Sequence, residues 1–170
     1  AQGLLAMSAI GGSARVAVKT DAALQEYYFN QPIALGDGET ILFGNQGASG
    51  RNTRLSSASI KTGVITRYDV ACVSPIGVKD GVLVYVAPGG ALQAIGFDEE
   101  SKKVTSDPVA LGPTVLVRVS NSSDASLSAT GTLVYQSAIT DAQVGWVSRT
   151  GLFTPITPML DEPRGYVFPR

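Results

Sequence analysis

The sequence predicts an all-β fold, because almost every apolar run along the chain has the length and composition of a strand. The runs hold about five to eight residues, are rich in Val, Ile, Leu, Thr and aromatic residues, and end at Gly, Asp, Asn or Pro. They lie at 4–10, 14–20, 39–45, 53–60, 64–70, 82–87, 91–98, 107–112, 132–139, 143–149 and 152–157. Segment 21–28 fits a turn or two of helix and equally a loop, and no other segment has helical spacing.

A phrase made of a tight turn and an apolar strand occurs three times. It reads DGETILFGN from residue 37, DGVLVYVAP from residue 80 and TGTLVYQSA from residue 130. Gly takes the positive φ that a tight hairpin needs, and Asp or Thr before it bonds to nearby backbone. A second turn follows the phrase in each unit: KTG at 61–63, DEESKK at 98–103 and RTG at 149–151.

This ordered recurrence favours a β-propeller, with a β-sandwich as the alternative. A period of roughly 40–50 residues with about four strands per unit is typical of propeller blades, whereas sandwiches space their turns without such a period. The strands after the first turn are apolar at most positions, which fits a sheet buried on both faces. The predicted single domain, 1–170, has a blade remnant at 4–20, blades at about 29–70, 72–112 and 117–158, and the start of a further blade at 161–170.

Such a chain is about half of a propeller: roughly three four-stranded blades plus incomplete flanking blades. An unclosed propeller exposes sheet edges and apolar blade faces. We therefore expect either a homodimer that closes the ring or the remainder of a larger propeller around this segment.

Composition excludes several functions. Lys plus Arg is 13 and Asp plus Glu is 14, so the net charge of -1 gives no general attraction for nucleic acid or anionic membranes. No apolar run is long enough to insert directly into a bilayer.

The chain has no His, which removes Ser-His-Asp and Cys-His catalysis and the commonest neutral metal ligand. The one cysteine, Cys72, lies in the apolar run VACVSP and is predicted to be buried and inert.

Carboxylates are the remaining candidates for catalysis, and turn roles explain them better. The pairs and clusters are Asp37 with Glu39, Asp98 with Glu99 and Glu100, and Asp161 with Glu162. No D-x-D-x-D-G run for calcium is present, and the glycine-rich segment 44–52 links strand to strand and opens no helix that could hold phosphate. The sequence therefore predicts no enzyme, no cofactor and no metal site.

Loops on one face are the expected place for binding. They are segments 21–30 and 45–52, the region 118–121, and 162–165. The candidate ligand-binding residues in or near them are Tyr27, Tyr28, Arg51, Asn52, Arg118 and Arg164. For the tyrosine pair, the alternative is that one ring packs in the core and the other covers it. Trp146 in VGWV is predicted to be a core residue, because its strand is apolar on both sides.

The units resemble TolB-like (WD40-like) β-propeller repeats, most closely those that follow the kinase domain of bacterial receptor-type serine/threonine kinases. ALGDGETILF at 34–43, IGVKDGVLVY at 76–85 and SLSATGTLVY at 126–135 are similar to the family's turn and apolar strand. VGWVSRTG at 144–151 and LLAMSAIGGSARVAV at 4–18 resemble two further strand motifs of that family. The third unit departs from the pattern, with Thr130 in place of the turn acid.

The resemblance implies a non-catalytic recognition or sensor module of a larger bacterial protein. It implies an extracytoplasmic or periplasmic location and a protein, peptide or small ligand bound through loops on one face. Two alternatives remain open at this point: an accessory propeller of a peptidase or glycosidase, and a structural β-sandwich from a surface or capsid assembly.

Overall fold

The structure, a computed structural model, describes residues 3–47, 53–118, 120–138 and 145–155. The strands are β1 Leu4–Ala6, β2 Arg15–Val18, β3 Glu26–Ala34, β4 Thr40–Gly47, β5 Thr53–Ser59, β6 Ile65–Ala71, β7 Ser74–Lys79, β8 Val82–Val86, β9 Ala91–Asp98, β10 Lys103–Val104, β11 Val109–Thr114, β12 Ala125–Leu127, β13 Leu133–Tyr135, β14 Gly145–Val147 and β15 Phe153–Pro155. Two short 3-10 turns lie at Ala22–Leu24 and Pro88–Gly90.

The prediction of an all-β chain is confirmed. The strands form several antiparallel sheets, and among the described residues no sheet closes into a barrel. The chain divides into two compact units, residues 1–137 and 138–170. The first unit holds β1 to β13, and the second holds the β14–β15 hairpin.

Two sheets make up most of the first unit, and both follow chain order. Strands β3-β4-β5-β6 form the first sheet, and β7-β8-β9 with β10 and β11 form the second. Each strand pairs with the next along the chain, except β11, which pairs with β9. The contacts are therefore mostly local. Two smaller sheets, β1-β2 and β12-β13, are hairpins.

Segment 21–28, the one candidate for helix, makes a single 3-10 turn before β3 begins. The Asp21 side chain accepts a hydrogen bond from the Ala23 N–H and caps that turn, and Gln25 ends it with a φ of 56°. From Glu26 onward the chain is extended and pairs with β4. Aromatic residues such as those at 27–29 favour a strand where a partner strand is present.

The predicted turns join the first two strands of the first sheet, of the second sheet and of β12-β13, and their glycines adopt positive φ: 67° at Gly38, 77° at Gly81 and 88° at Gly131. The first two turns have the same Asp-Gly sequence but different lengths. Ala34 pairs with Ile41 in the first sheet, whereas Lys79 pairs with Val82 in the second. The Asp-Gly of the second sheet is thus a two-residue hairpin turn, and that of the first lies in a wider one.

The four sheets of the first unit are stacked face to face in chain order, with an apolar layer between each neighbouring pair. Hairpin β1-β2 packs on the first sheet through the cluster Ala17, Val18, Phe43 and Ala58. The first and second sheets share the cluster Leu35, Leu42, Leu55, Val70, Cys72, Leu83, Tyr85, Ala87, Ile95 and Phe97. The second sheet packs on β12-β13 through Ile76, Val86, Leu92 and Val115, with Leu127 and Leu133 at the margin.

The stacked sheets approach each other most closely at their first strands. Strand β3 lies near β7, and β7 lies near β12, whereas the last strands β6 and β11 do not approach each other to a comparable extent. The Gln31 side chain in β3 even reaches Ser123, just before β12, two sheets further along. Its Oε1 accepts from the Ser123 N–H at 2.8 Å, and its Nε2 donates to the Ser123 carbonyl at 2.9 Å.

The second unit shows one wrong prediction. Strands β14 and β15 pair through a turn in which Ser148 Oγ accepts from the Leu152 N–H at 3.0 Å. Trp146 pairs with Thr154 across this hairpin and is 74% exposed, so it is not a core residue. A two-stranded hairpin has two faces, and an apolar sequence around a residue does not tell which face is covered.

Candidate ligand-binding cleft

A polar cleft of about 480 Å³ lies at one end of the first sheet, where β3 begins, β4 ends and β5 begins. Its lining comes from the turn before β3 and from all four strands: Leu24, Gln25, Glu26, Asn45, Gly47, Arg54, Ser56, Arg67, Tyr68 and Asp69. We refer to this set as the polar cleft. Its volume is in the range of small-molecule sites.

Strand register places the polar side chains together. Asn45 of β4 lies opposite Arg54 of β5, and Ser56 of β5 lies opposite Arg67 of β6. Because side chains two residues apart share a face of a strand, Arg54 with Ser56, and Arg67 with Asp69, point to the same side. Alternation in two neighbouring strands thus builds one polar patch from residues that are far apart in sequence.

Glu26, the buried centre of the cleft, is only 6% exposed. Its Oε1 accepts from Arg67 Nε at 2.7 Å and from Asn45 Nδ2 at 2.6 Å. Its Oε2 accepts from the Asp21 N–H at 2.9 Å. One carboxylate therefore joins the 3-10 turn, β4 and β6, and its charge is matched by the guanidinium of Arg67, as a buried charge requires.

The electrostatics of Glu26 follow from these contacts. Burial by itself raises the pKa of a carboxyl group, because it disfavours the charged form. The hydrogen bonds from Arg67, Asn45 and the Asp21 backbone more than offset burial, so the pKa of Glu26 lies below its ordinary value. The cleft therefore holds this carboxylate ionised at neutral pH, which keeps Arg67 oriented.

A second ion pair stands at the rim of the cleft. Arg54 Nη1 lies 2.7 Å from Asp69 Oδ1, and the two side chains are 62% and 96% exposed. Exposed pairs of this kind contribute little to stability, because water screens them. The rim charges are therefore able to exchange partners, whereas the Glu26–Arg67 pair is fixed by burial.

The β1-β2 hairpin covers only part of the same face of the first sheet. Phe43 and Ala58 lie beneath Ala17 and Val18 of the hairpin. Asn45 follows two residues after Phe43 on the same face, at the margin where polar side chains begin. The cleft thus occupies the part of this face that carries charged groups.

Two of the loops predicted for binding contribute to the cleft. Segment 21–30 supplies Leu24, Gln25 and Glu26, and segment 45–52 supplies Asn45 and Gly47. The predicted residues Tyr27 and Tyr28 are on β3, not in a loop, and are 57% and 60% exposed with ring centroids 5.9 Å apart. Neither ring is in the core, so the alternative that one of them packs there is wrong.

The other predicted residues fall elsewhere. Arg118 is not part of the polar cleft; it lies in the turn before β12 and forms a two-bond ion pair with Asp124, from Nε at 3.1 Å and Nη2 at 2.5 Å. The remaining predicted residues, Arg51, Asn52 and Arg164, lie outside the described residues.

The residues at the centre of the cleft were missed by sequence reasoning. Glu26 was hidden in a segment interpreted as loop, and Arg67 lies 41 residues away from it along the chain. One signal was present: Arg54 in TRLS, and Arg67 with Asp69 in TRYD, are charged residues within strands that are otherwise short of charge. Two neighbouring strands with charges on the same face indicate a face that an apolar sheet does not cover.

Two other groups that the sequence offered for chemistry, Asp37 and Cys72, have structural roles. Asp37 accepts from the Thr40 N–H and hydroxyl, each at 2.7 Å, and from Lys102 Nζ at 2.8 Å, and these bonds, with Lys102 foremost, hold the pKa of Asp37 far below its ordinary value. Cys72 is fully buried, as predicted, and burial raises the pKa of its thiol. Within the described ranges, no cluster of three or more Cys, Asp or Glu could hold a metal ion.

Among the helical turns in the described part of the chain, none has the length and apolarity needed to cross a bilayer. Comparison of the chain with protein-family models, with curated proteins and with solved structures gave no significant match. The function is therefore inferred from the fold and the polar cleft.

Proposed function

We propose that this chain is a non-catalytic recognition module, a segment of a β-propeller that binds a peptide or small polar ligand in the polar cleft. The observation that carries the proposal is the cleft itself. It is about 480 Å³ in volume, it lies at one end of a sheet, and a buried carboxylate, Glu26, fixes the guanidinium of Arg67 within it. Rigid strands that support a polar site near loops are a common arrangement for binding.

Two features of the first unit support a propeller over a sandwich. A sandwich has two layers, whereas four sheets are stacked here in chain order with three apolar interfaces. The sheets approach each other at their first strands and diverge towards their last, as blades do around an axis. The Gln31–Ser123 contact across two sheets is compatible with convergence at that edge.

The family resemblance adds a biological setting to the proposal. The resemblance to TolB-like repeats depends on the order of two turns in each unit. In the first two units these turns lie between β3 and β4, β5 and β6, β7 and β8, and β9 and β10. A sensor region of a bacterial kinase, outside the cytoplasm, would fit this arrangement. Both the location and the kinase association depend on the resemblance alone.

The experiment is a selection of ligands from a phage-displayed random peptide library on the immobilised 170-residue chain. Enriched peptides should lose binding when the rim pair is removed by Arg54→Ala with Asp69→Ala. The control is Lys79→Ala with Asp80→Asn, which removes another exposed ion pair. Peptides that bind both variants equally, or no enrichment over an unrelated bait, would contradict the proposal.

The sheets at the two ends of the first unit, β1-β2 and β12-β13, expose apolar side chains that further sheets would cover. Leu5 and Val16 form an exposed cross-strand pair on β1-β2, at 60% and 45% exposure, and Val134 of β13 is 67% exposed. A second copy of the chain or the remainder of a larger propeller would cover such faces. Light scattering after size exclusion decides between these: a dimer supports closure by two copies, and a monodisperse monomer rejects it.

A further inference from the structure

We propose that the polar cleft recognises a carboxylate, supplied by a peptide's free C-terminus or by an acidic side chain, through Arg67 and Arg54. This inference rests on the proposed recognition function and names the chemistry that the same site selects. It depends on three features: a guanidinium fixed from behind, a second guanidinium whose partner is exchangeable, and a polar surface that an apolar partner would not cover.

Arg67 is held as a preoriented donor. Its Nε donates to buried Glu26 at 2.7 Å, and its side chain is 37% exposed where it lines the cleft. Among the described residues, its two Nη groups have no hydrogen-bond partner. Arginine carries five N–H donors in a planar fork that matches a carboxylate. Glu26 uses one of these donors, so it fixes the fork and leaves the outer donors for a ligand.

Arg54 supplies the second positive charge. It lines the same cleft, and its Nη1 is bound by Asp69 at the exposed rim. Water screens an exposed ion pair, so a ligand carboxylate can replace Asp69 at little cost. The replacement exchanges one charge-assisted hydrogen bond for another while the ligand gains the donors of Arg67.

The charges of the cleft also decide what kind of partner fits. Two Arg and two acidic residues line it, and burying them beneath an apolar sheet would leave charged groups desolvated. A peptide end offers a carboxylate for the arginines, and Leu24, which is 55% exposed at the rim, offers apolar surface for the adjoining side chain. A peptide carboxylate therefore satisfies more of this surface than a further apolar strand.

The test is an NMR titration of the full 170-residue chain that follows the Nε–H signals of Arg54 and Arg67. The probes are acetyl-Gly-Leu-Phe as free acid and as amide, and acetyl-Gly-Glu-Gly-amide with its Gln counterpart. We expect saturable shifts at millimolar concentration with an acid and none with its neutral counterpart. Whichever acid binds identifies the source of the carboxylate, a C-terminus or a side chain.

Two variants at the rim sharpen the test, and both sites are exposed enough for the fold to persist. Arg54→Gln should weaken binding of the acid about tenfold or more, because a charged hydrogen bond is lost. Asp69→Asn should tighten it, because the internal competitor for Arg54 is removed. Lys79→Gln, in the exposed pair with Asp80, should leave the affinity unchanged. The unfolding midpoint of each variant verifies that the chain is folded.

The opposite results would overturn the inference. Acid and amide that bind alike, an acid that does not bind at all, or an Asp69→Asn variant that binds more weakly would each reject carboxylate recognition. The recognition function would survive if peptides from the library bind in a cleft-dependent manner and keep their affinity after their carboxylates are amidated. Failure of the library selection would reject the recognition function itself.

Discussion

The first sheet packs one face on the β1-β2 hairpin, and the second sheet packs the corresponding face on the first sheet. The two faces differ in the size of the sheet that covers them. On the second sheet this face carries Leu83, Tyr85, Ile95 and Phe97, all buried against the complete first sheet. On the first sheet it carries Phe43 under the β1-β2 hairpin, and then the polar cleft.

The difference shows that side-chain polarity follows the extent of the covering sheet. Where a four-stranded sheet covers the face, the buried positions are apolar, and full burial of one such side chain stabilises the fold by about 1.5–3 kcal/mol. Where a two-stranded hairpin covers it, the apolar stretch ends and charged residues begin.

Phe97→Ala should have the largest effect. Phe97 is fully buried between the two sheets, with its ring 5.8 Å from that of Tyr68. Loss of a buried phenyl group and the cavity left behind should lower the free energy of unfolding by about 4 kcal/mol, measured by urea denaturation. Leu24→Ala, at the exposed rim of the cleft, serves as the control and should change it by less than about 0.5 kcal/mol. Equal effects would mean that the interface between the sheets is not a core.

Gly44→Ala should destabilise the junction between the two sheets by about 3 kcal/mol, since overpacking costs about that much. A Cβ on Gly44 would lie under 3.0 Å from the Val73 carbonyl oxygen, in the segment that leads from β6 to β7. The loss of stability is measured by thermal unfolding. Gly36→Ala is the matched control, because its Cβ would meet only Glu99 Oε2 at 3.9 Å and its φ is not positive. If Gly44→Ala unfolds like the control, the close approach of the sheets is refuted.

Turns and most strands could be predicted from sequence because they depend on local chemistry. The Asp-Gly and Thr-Gly pairs require positive φ at Gly38, Gly81 and Gly131, and the structure has it. The start of β3 could not be predicted, because it depends on the pairing of Glu26 with Gly47, 21 residues later. Strand preference depends on such partners more than on the residue itself.

The candidate site was less predictable than the fold. The predicted segments 21–30 and 45–52 contribute residues to the polar cleft, and their role in binding stays a prediction. The centre of the cleft is Glu26 with Arg67, a pair that the sheet register brings together. Trp146 was misplaced for a similar reason. Its apolar neighbours indicate a strand, and they do not tell whether another layer covers that strand.

Glu26→Gln should cost about 2 kcal/mol at neutral pH, because charged hydrogen bonds to Arg67 and Asn45 are replaced by weaker ones. The pKa of Glu26 is lower in the folded chain than its ordinary value of 4.5. Its stabilising contribution is therefore complete above that value and is lost as the pH falls through it towards the folded pKa. Urea denaturation across this range should show wild type and Glu26→Gln converging in acid.

Asp69→Asn is the control for this measurement, since Asp69 is 96% exposed at the rim. We expect it to change the free energy of unfolding by less than about 0.5 kcal/mol at neutral pH. A difference between wild type and Glu26→Gln that stays constant down to strongly acidic pH would show that Glu26 is not held ionised by Arg67.

Lys102→Met should have the smallest effect, and it tests the end of the two sheets opposite the cleft. Lys102 Nζ lies 2.8 Å from Asp37 Oδ2, so it joins the turn between β9 and β10 to the first turn of the neighbouring sheet. Both side chains are partly exposed, and we expect a loss of about 0.5 kcal/mol at low salt. In molar salt, where the Debye length is about 3 Å, the difference from wild type should nearly vanish.

Lys103→Met is the control. It removes a neighbouring exposed charge that has no ion pair among the described residues, so it should not change stability in either buffer. A salt-independent loss in Lys102→Met would mean that the stem of Lys102, and not its charge, holds the two turns together.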